Sequence, residues 1–346
     1  MSLKSFIRQK LIECPACYAR YQRFKYRLAC IRQLGYFLDD IRIVSRYSFW
    51  KEDRELPVGQ LQAKLLFFYH KIEKGLSLPG KKRLFGLDVV PQVISLLEAW
   101  EGKEGCIENP IYSGALSSLA AYAAYLEKES FPGGEGIATR VRDFLSSRCA
   151  KNESVDTPLR LSEMKFSDVV EFDRFLELCR LRRSFRTFSD RNVSDDMIRN
   201  AIEAAQLSPS ACNRQPCKVY AVRDPETKRA LLSHQNGNAG FGHLAPLVLA
   251  ITADSTHFFG AIERHQTFVD GGLFSMSLIF GLQTQGLVSC CLNWCVSPRS
   301  NAAAQKVLGI SESERIIMLM LVGFPPEEAL VPKSHRRSVE SILTVR

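Results

Sequence analysis

Long apolar runs are scarce in this chain of 346 residues. The longest ones, such as IIMLML at residues 316–321, are far shorter than the roughly 20 residues that a bilayer-spanning helix needs. The first basic residues are also followed by no apolar segment of the kind that secretory signals carry. These absences argue against a membrane-spanning or exported protein, so we expect a soluble protein of the cytoplasm.

The eleven cysteines lack the spacing of a disulfide framework, and their number is odd. A chain of this length can bury a core without cross-links, which fits a reducing compartment. Cys14 and Cys17 form one CxxC pair, but no second pair follows at zinc-ribbon spacing. We therefore predict no metal site and interpret the pair as ordinary thiols on a helix, with a metal or redox role as the alternative.

Positive charge is concentrated at the start of the chain. Residues 1–50 contain ten lysines and arginines against three acidic residues, a net +7 out of +9. Aromatic residues alternate with bases in YARYQRFKYR at 18–27. We prefer a solvated basic helix whose Tyr and Phe side chains pack on the next helix, with contact to an anionic membrane surface as the alternative. No nucleic-acid module follows, so we expect no nucleic-acid partner.

The first 150 residues show helical periodicity and no strand pattern. Apolar residues recur at helical spacing over 61–75, 93–103 and 115–130, and Gly75 stands where a left-handed C-cap would end the first of these helices. A polar, turn-rich stretch at 150–164 then breaks the periodicity. We predict an all-helical N-terminal domain over residues 1–160, with the boundary in that stretch.

From about residue 166 helices alternate with short strands. Ser194 and the two aspartates after it predict the start of a helix. Four short apolar runs, beginning at residues 218, 247, 288 and 316, predict strands, and a long helix apolar on most sides covers 266–286. A sheet with helices on its faces follows, so we predict an α+β domain over 166–346.

Three arginines cluster in LRRSFRTF at 181–188, namely Arg182, Arg183 and Arg186, with Ser184 among them. Guanidiniums this close repel one another unless an anion lies between them, and their planar forks suit phosphate. The cluster predicts a phosphorylated ligand, with a solvated basic turn as the alternative. A second basic group, PKSHRR at 332–337, could converge on the same phosphate.

The loop SPSACNRQP at 208–216 is stiff and polar. Pro209 and Pro216 fix backbone angles, while Ser210, Asn213 and Gln215 offer donors and acceptors that suit a heteroaromatic ring edge. GNAGFG at 237–242 has its glycines in the wrong order for a dinucleotide-binding fingerprint.

Residues 175–346 resemble the FMN-dependent nitroreductase family, because RRSFRTF, SPSACNRQP and PKSHRR occur there in this order. The resemblance implies a mixed sheet wrapped by helices and a homodimer with two FMN molecules at the subunit interface. A longer subgroup of that family shares the string HKIEKGLSLPG at 70–80. The extra N-terminal residues have no counterpart in the minimal family fold.

The resemblance also implies which residues bind FMN. One subunit would supply Arg182, Arg183, Ser184, Arg186, Asn238, Asn293, Trp294, Lys333 and Arg336. The partner subunit would supply Pro209, Ser210, Ala211, Asn213 and Gln215. This chain departs from the family at Cys217, where Trp is common, and at Phe241, where a basic residue is common.

The implied activity is hydride transfer from NAD(P)H through bound FMN to a small, electron-poor acceptor by ping-pong chemistry. Because the flavin makes and breaks the bonds, we expect no catalytic side chain. His70 and Glu73, with Lys74, are candidate lid residues, and a solvated polar patch is the alternative. The alternative functions are a non-catalytic flavin-binding scaffold at an anionic membrane and an oxygen-dependent flavin-degrading or dehydrogenating enzyme.

Overall fold

The structure, a computed structural model, describes residues 15–48, 56–79, 81–103, 106–148 and 171–346. The predicted domain boundary between residues 160 and 166 lies outside the described residues, and so do Cys14 and the side chain of Cys17. The division into two domains stays a prediction.

The N-terminal part is helical, as the periodicity predicts. Its helices are α1 (Pro15–Tyr47), α2 (Val58–Ser77), α3 (Val89–Glu101), α4 (Pro110–Glu129) and α5 (Glu135–Ser146). Asn109 caps α4, because its side chain accepts a hydrogen bond from the N–H of Ile111 at 3.0 Å. One apolar cluster between residues 56 and 145 joins α2 to α5, with Trp100 and Tyr122 almost completely buried in it.

The predicted end of α2 at Gly75 is wrong, because the helix continues to Ser77. A Cβ atom at residue 75 would overlap the ring of Phe85. The glycine therefore allows a close packing contact and does not cap the helix.

Helix α1 exposes its aromatic residues. Tyr21, Phe24 and Tyr26 are 42%, 64% and 72% exposed. The expectation that these rings pack on a neighbouring helix is therefore wrong for these three. Within the part of the chain that the structure describes, no helix is both long enough and apolar enough to cross a membrane.

The C-terminal part has the predicted α+β architecture. Its elements are α6 (Phe172–Leu181), α7 (Asp195–Gln206), β1 (Cys217–Val222), α8 (Pro225–Leu232), β2 (Leu247–Asp254), α9 (Gln266–Gln283), β3 (Val288–Asn293), α10 (Pro298–Leu308) and β4 (Glu314–Gly323). All four predicted strands form. Ser194 caps α7 by accepting a hydrogen bond from the N–H of Met197 at 3.3 Å.

The four strands form one sheet in the order β1-β2-β4-β3, and each neighbouring pair is antiparallel. In the described chain, the parallel pairing that the expected mixed sheet requires is limited to an isolated bridge between Ser184 and Ser289. Side chains alternate across the strands. Leu249 and Met320 face the cluster that includes α7 and α9, whereas Val248 and Leu321 face the cluster that includes α8 and α10. The sheet is therefore covered on both faces.

Candidate functional site

The arginine segment, residues 182–186, lies along the outer edge of β3. Arg182 ends α6, and the chain after it is extended. Ser184 bridges Ser289, and the N–H of Phe185 donates to the oxygen of Ser289 at 3.1 Å. These backbone contacts hold the predicted phosphate-binding residues beside an edge strand.

The guanidiniums of this segment have no acidic partner in the chain. Over the described ranges, no carboxylate forms an ion pair with Arg182, Arg183 or Arg186. The Arg186 guanidinium lies 5.5 Å from the ring centroid of Phe241. The segment is a cationic surface that an anion can neutralise.

A turn of amide side chains adjoins this segment. The N–H of Phe241 donates to the backbone oxygen of Asn238 at 3.2 Å, which places the turn beside Arg186. The side-chain NH2 of Asn238 donates to the oxygens of Leu232 and Gln235, both at 2.8 Å. It is therefore used inside the turn, and only the side-chain oxygen of Asn238 is left for a ring contact.

Gln235 connects the turn to the end of β3. Its buried amide donates to the backbone oxygen of Asn293 at 3.0 Å. The indole N–H of Trp294 donates to Asn301 at 2.9 Å, which leaves the backbone of this residue as the group available to a ligand. We call Arg182, Arg183, Ser184, Arg186, Asn238 and Asn293 the β3-edge group.

The loop 208–216, which we call the flavin loop after the ligand that the sequence resemblance implies for it, has a strained backbone. Residues 211–213 form a short 3-10 helix. Cys212, Asn213 and Gln215 have φ values of 51°, 54° and 49°, in the left-handed region that costs a non-glycine residue roughly 1–2 kcal/mol. Such conformations persist only where surrounding contacts enforce them.

Two contacts inside the chain enforce this loop. The N–H of Gln215 donates to Ser210 Oγ at 3.0 Å. The N–H of Ala211 donates to Asp270 of α9 at 3.1 Å. Burial raises the pKa of Asp270, although hydrogen bonds from Gln266 and Ala211 oppose the rise. Asp270 could not be predicted from the sequence, because a single acid in an apolar helix gives no signal by itself.

The flavin loop also borders a cavity of about 460 Å³. Its walls include Pro209, Ser210, Gln215, Cys217, Asp270 and Phe274. Cys217, which stands where the family commonly has Trp, therefore faces open space. Burial raises the pKa of its thiol to about 12, so this residue is a neutral wall of the cavity.

The β3-edge group and the flavin loop lie at opposite corners of the sheet. The flavin loop leads into β1 at one edge, whereas Ser184 adjoins β3 at the other. Three strand spacings separate these edges, about 14 Å. The two groups are also offset along the strands. Cys217 lies level with Arg315 of β4, whereas Ser289 lies level with Val322 of the same strand, and the distance between Arg315 and Val322 along β4 is about 20 Å. One chain does not bring the two halves of the predicted site together.

The remaining predicted residues lie apart from both groups. Lys333 and Arg336 are in an exposed C-terminal segment, and the guanidinium of Arg336 donates to the oxygen of Ser334 at 2.9 Å. In the described chain, neither forms an ion pair or hydrogen bond with the arginine segment. His70 Nδ1 lies 3.5 Å from a carboxylate oxygen of Glu73 on α2. The described residues that line the cavity do not include Lys333, Arg336, His70 or Glu73.

Known proteins similar to this chain match its C-terminal half. The fold and the arginine segment together define an α+β protein with a cationic surface at one edge of its sheet. Residues 180–238 match the model of the nitroreductase family, so the predicted resemblance to that family is confirmed for this part of the chain. This match spans 59 of the 346 residues, and the Archaeoglobus relative described below aligns with 44% of the chain.

Three relatives and one solved structure illustrate the matches. An Archaeoglobus fulgidus protein provisionally named NADH dehydrogenase/NAD(P)H nitroreductase is 28% identical, over 44% of this chain and 86% of the relative. A Thermus thermophilus NADH dehydrogenase is 44% identical, but the match covers only 21% of this chain and 35% of the relative. Human iodotyrosine deiodinase 1 is 26% identical, over 49% of this chain and 67% of the relative. A Streptococcus pneumoniae nitroreductase family structure covers 50% of this chain and 100% of its own, with 26% identity and a TM-score of 0.44.

Proposed function

We propose that the C-terminal half binds FMN and takes hydride from NAD(P)H for transfer to a small, electron-poor acceptor in a ping-pong cycle. The observation that carries this proposal is the arginine segment, three cations without a carboxylate partner in the described chain, inside the region that matches the nitroreductase family. The names of the Archaeoglobus and Thermus relatives support a nicotinamide donor. The name of the human deiodinase relative indicates a different reaction, so we propose only the class of acceptor.

The described residues fit FMN in two respects. The guanidiniums of Arg182 and Arg183 have no carboxylate partner among the described residues, although Arg183 Nη1 donates to the backbone oxygen of Arg182 at 2.8 Å. They suit a phosphate, which they would hold by bidentate hydrogen bonds. The polar edge of the flavin loop beside a cavity with both apolar and polar walls suits a flat heteroaromatic ring. FMN, when bound, supplies the hydride chemistry.

The chain's own residues then bind and stabilise charge. Arg186 would stabilise negative charge on the ring side of the site, where a hydrogen bond to a charged group contributes roughly 1.5–3 kcal/mol. The neutral Phe241 ring, 5.5 Å from the Arg186 guanidinium, adds no second positive charge at this position. No side chain is needed as a nucleophile or general base.

We propose that a second copy of the chain completes the site. The flavin loop of one copy would approach the β3-edge group of the other, since one copy keeps them at opposite corners of the sheet. Helix α9 supports a close contact, because Val269, Leu273 and Met276 are 51%, 44% and 37% exposed on one face. Gly272 on the same helix has open space beside it, which lets another backbone approach. Two FMN sites per dimer would follow from the symmetry.

The double variant Arg182→Ala with Arg186→Ala tests the phosphate assignment. We expect it to lose FMN after purification and to bind added FMN at least about 100-fold more weakly, because two charged hydrogen-bonding groups are removed. The matched control Arg140→Ala with Arg199→Ala removes the same charge from exposed helix positions and should keep wild-type affinity. Circular dichroism should show the helical content unchanged in both.

A double variant that keeps the flavin absorbance of the wild type would contradict the phosphate assignment.

Anaerobic mixing of the FMN-loaded protein with NADH or NADPH tests the catalytic part of the proposal. Fast bleaching of the flavin absorbance is the expected result. A loaded protein that is inert to both would be a flavin-binding protein without this activity.

A further inference from the structure

Arg214 lies at the centre of the flavin loop and is completely buried. Its guanidinium makes a bidentate ion pair with Glu263, with N–O distances of 3.0 and 2.7 Å. Its Nε donates to the backbone oxygen of Ala211 at 2.9 Å. The residue thus ties both ends of the short 3-10 helix to a carboxylate outside the loop.

Glu263 is itself held in place. The N–H of Phe259 donates to it at 2.7 Å. The hydrogen bonds from Arg214 and Phe259 outweigh the effect of burial and lower the pKa of Glu263. The pair is therefore charged and fixed, and a buried arginine of this kind is strongly oriented.

The N-terminal part of the chain closes this arrangement. The Phe67 ring of α2 lies 5.7 Å from the Arg214 guanidinium and 4.4 Å from the ring of Phe259. Phe258 and Phe259 cover the guanidinium from other sides, at 4.8 and 5.5 Å. Helix α2 packs against residues 211–213 of the loop. The helical part thus contributes one wall of the pocket that buries Arg214.

We propose that the N-terminal helical part positions the flavin loop through the contact of Phe67 with Arg214. Without that wall the buried cation would gain access to water, and the strained backbone at residues 212–215 would relax. Arg214 is a positioning residue, since it holds the loop and need not touch the ligand. The link to FMN affinity rests on the proposed function, whereas the link to loop order does not.

The test compares full-length variants by hydrogen exchange of the loop amides in the FMN-free protein and by FMN titration. Phe67→Ala should speed exchange at residues 210–215 by about tenfold or more and weaken FMN binding by a similar factor. Phe67→Tyr keeps the ring and should behave as the wild type. Arg214→Lys keeps the charge without the planar fork and should resemble Phe67→Ala.

Phe131→Ala is the matched control, because Phe131 packs against the N-terminal cluster and against Tyr125. It should lower the thermal midpoint by about as much as Phe67→Ala and leave loop exchange unchanged. Loop exchange within threefold of the wild type in Phe67→Ala would overturn the positioning role. A wild-type protein that fails to bind FMN would contradict the proposed function, while the exchange data would still decide the role of Phe67.

Discussion

The ring of Phe85 occupies the space that a side chain at residue 75 would need. Gly75→Ala should therefore destabilise the protein by about 1–3 kcal/mol, the usual cost of overpacking. Gly59→Ala in the same helix is the matched control, because nothing lies within 4 Å of its Cβ position. The control should gain roughly 0.5–1 kcal/mol from the better helix former. Urea unfolding measures both, and equal midpoints would refute the packing explanation.

Sequence motifs predicted the residues whose chemistry is local in the chain, and missed those whose partners are distant. Arg182, Arg183 and Arg186 stand together in the sequence, so their shared charge predicts an anion site before any folding. Arg214 pairs with Glu263 across 49 residues, and Ala211 with Asp270 across 59. No spacing rule connects such pairs, because tertiary packing alone brings them together.

At the scale of elements, helices α3 and α5 are tied by one charged contact. Arg148, just after α5, binds Glu101 at the end of α3 through Nε at 2.5 Å and Nη2 at 2.9 Å. Tyr112 of α4 donates to the same carboxylate at 2.7 Å. Burial opposes the charge of Glu101, but these hydrogen bonds outweigh it and lower the pKa of the carboxyl.

This contact predicts a pH dependence. A lowered folded-state pKa means that the stabilisation is complete above the unfolded carboxyl's pKa of 4.5 and is lost as pH falls through the folded value. Glu101→Gln should cost roughly 1.5–3 kcal/mol near neutral pH, and the difference from wild type should shrink on acidification. Glu203→Gln, at an exposed position of α7, is the control. Urea unfolding at a series of pH values gives both curves, and a pH-independent difference would rule this out.

The elements themselves were predictable where the signal is local. Ser194 and the aspartates after it fixed the start of α7, and four β-branched runs fixed the strands. The order β1-β2-β4-β3 could not be read from the sequence, because alternation shows which face a residue takes and not which strand pairs with it.

At the scale of the whole molecule, the strand order separates the two halves of the candidate site. Within the described chain, the arginine segment and the flavin loop share no hydrogen bond or ion pair. Exposed apolar residues occur both on α9 and in the C-terminal segment, where Leu330 is 95% exposed. Surfaces of this kind are typical of a contact with another chain. A second copy would bury them and unite the two halves.

Leu273→Glu tests this assembly. The residue is 44% exposed, so the change removes little packing from the single chain, but it would place a carboxylate inside an apolar contact between copies. We expect the wild type to sediment as a dimer and the variant as a folded monomer that has lost FMN. Ile107→Glu introduces the same charge at a position 73% exposed in the helical part and should leave the dimer intact. A Leu273→Glu protein that stays dimeric, or a monomer that retains FMN, would show that the site is completed in another way, since one chain alone keeps its two halves at opposite corners of the sheet.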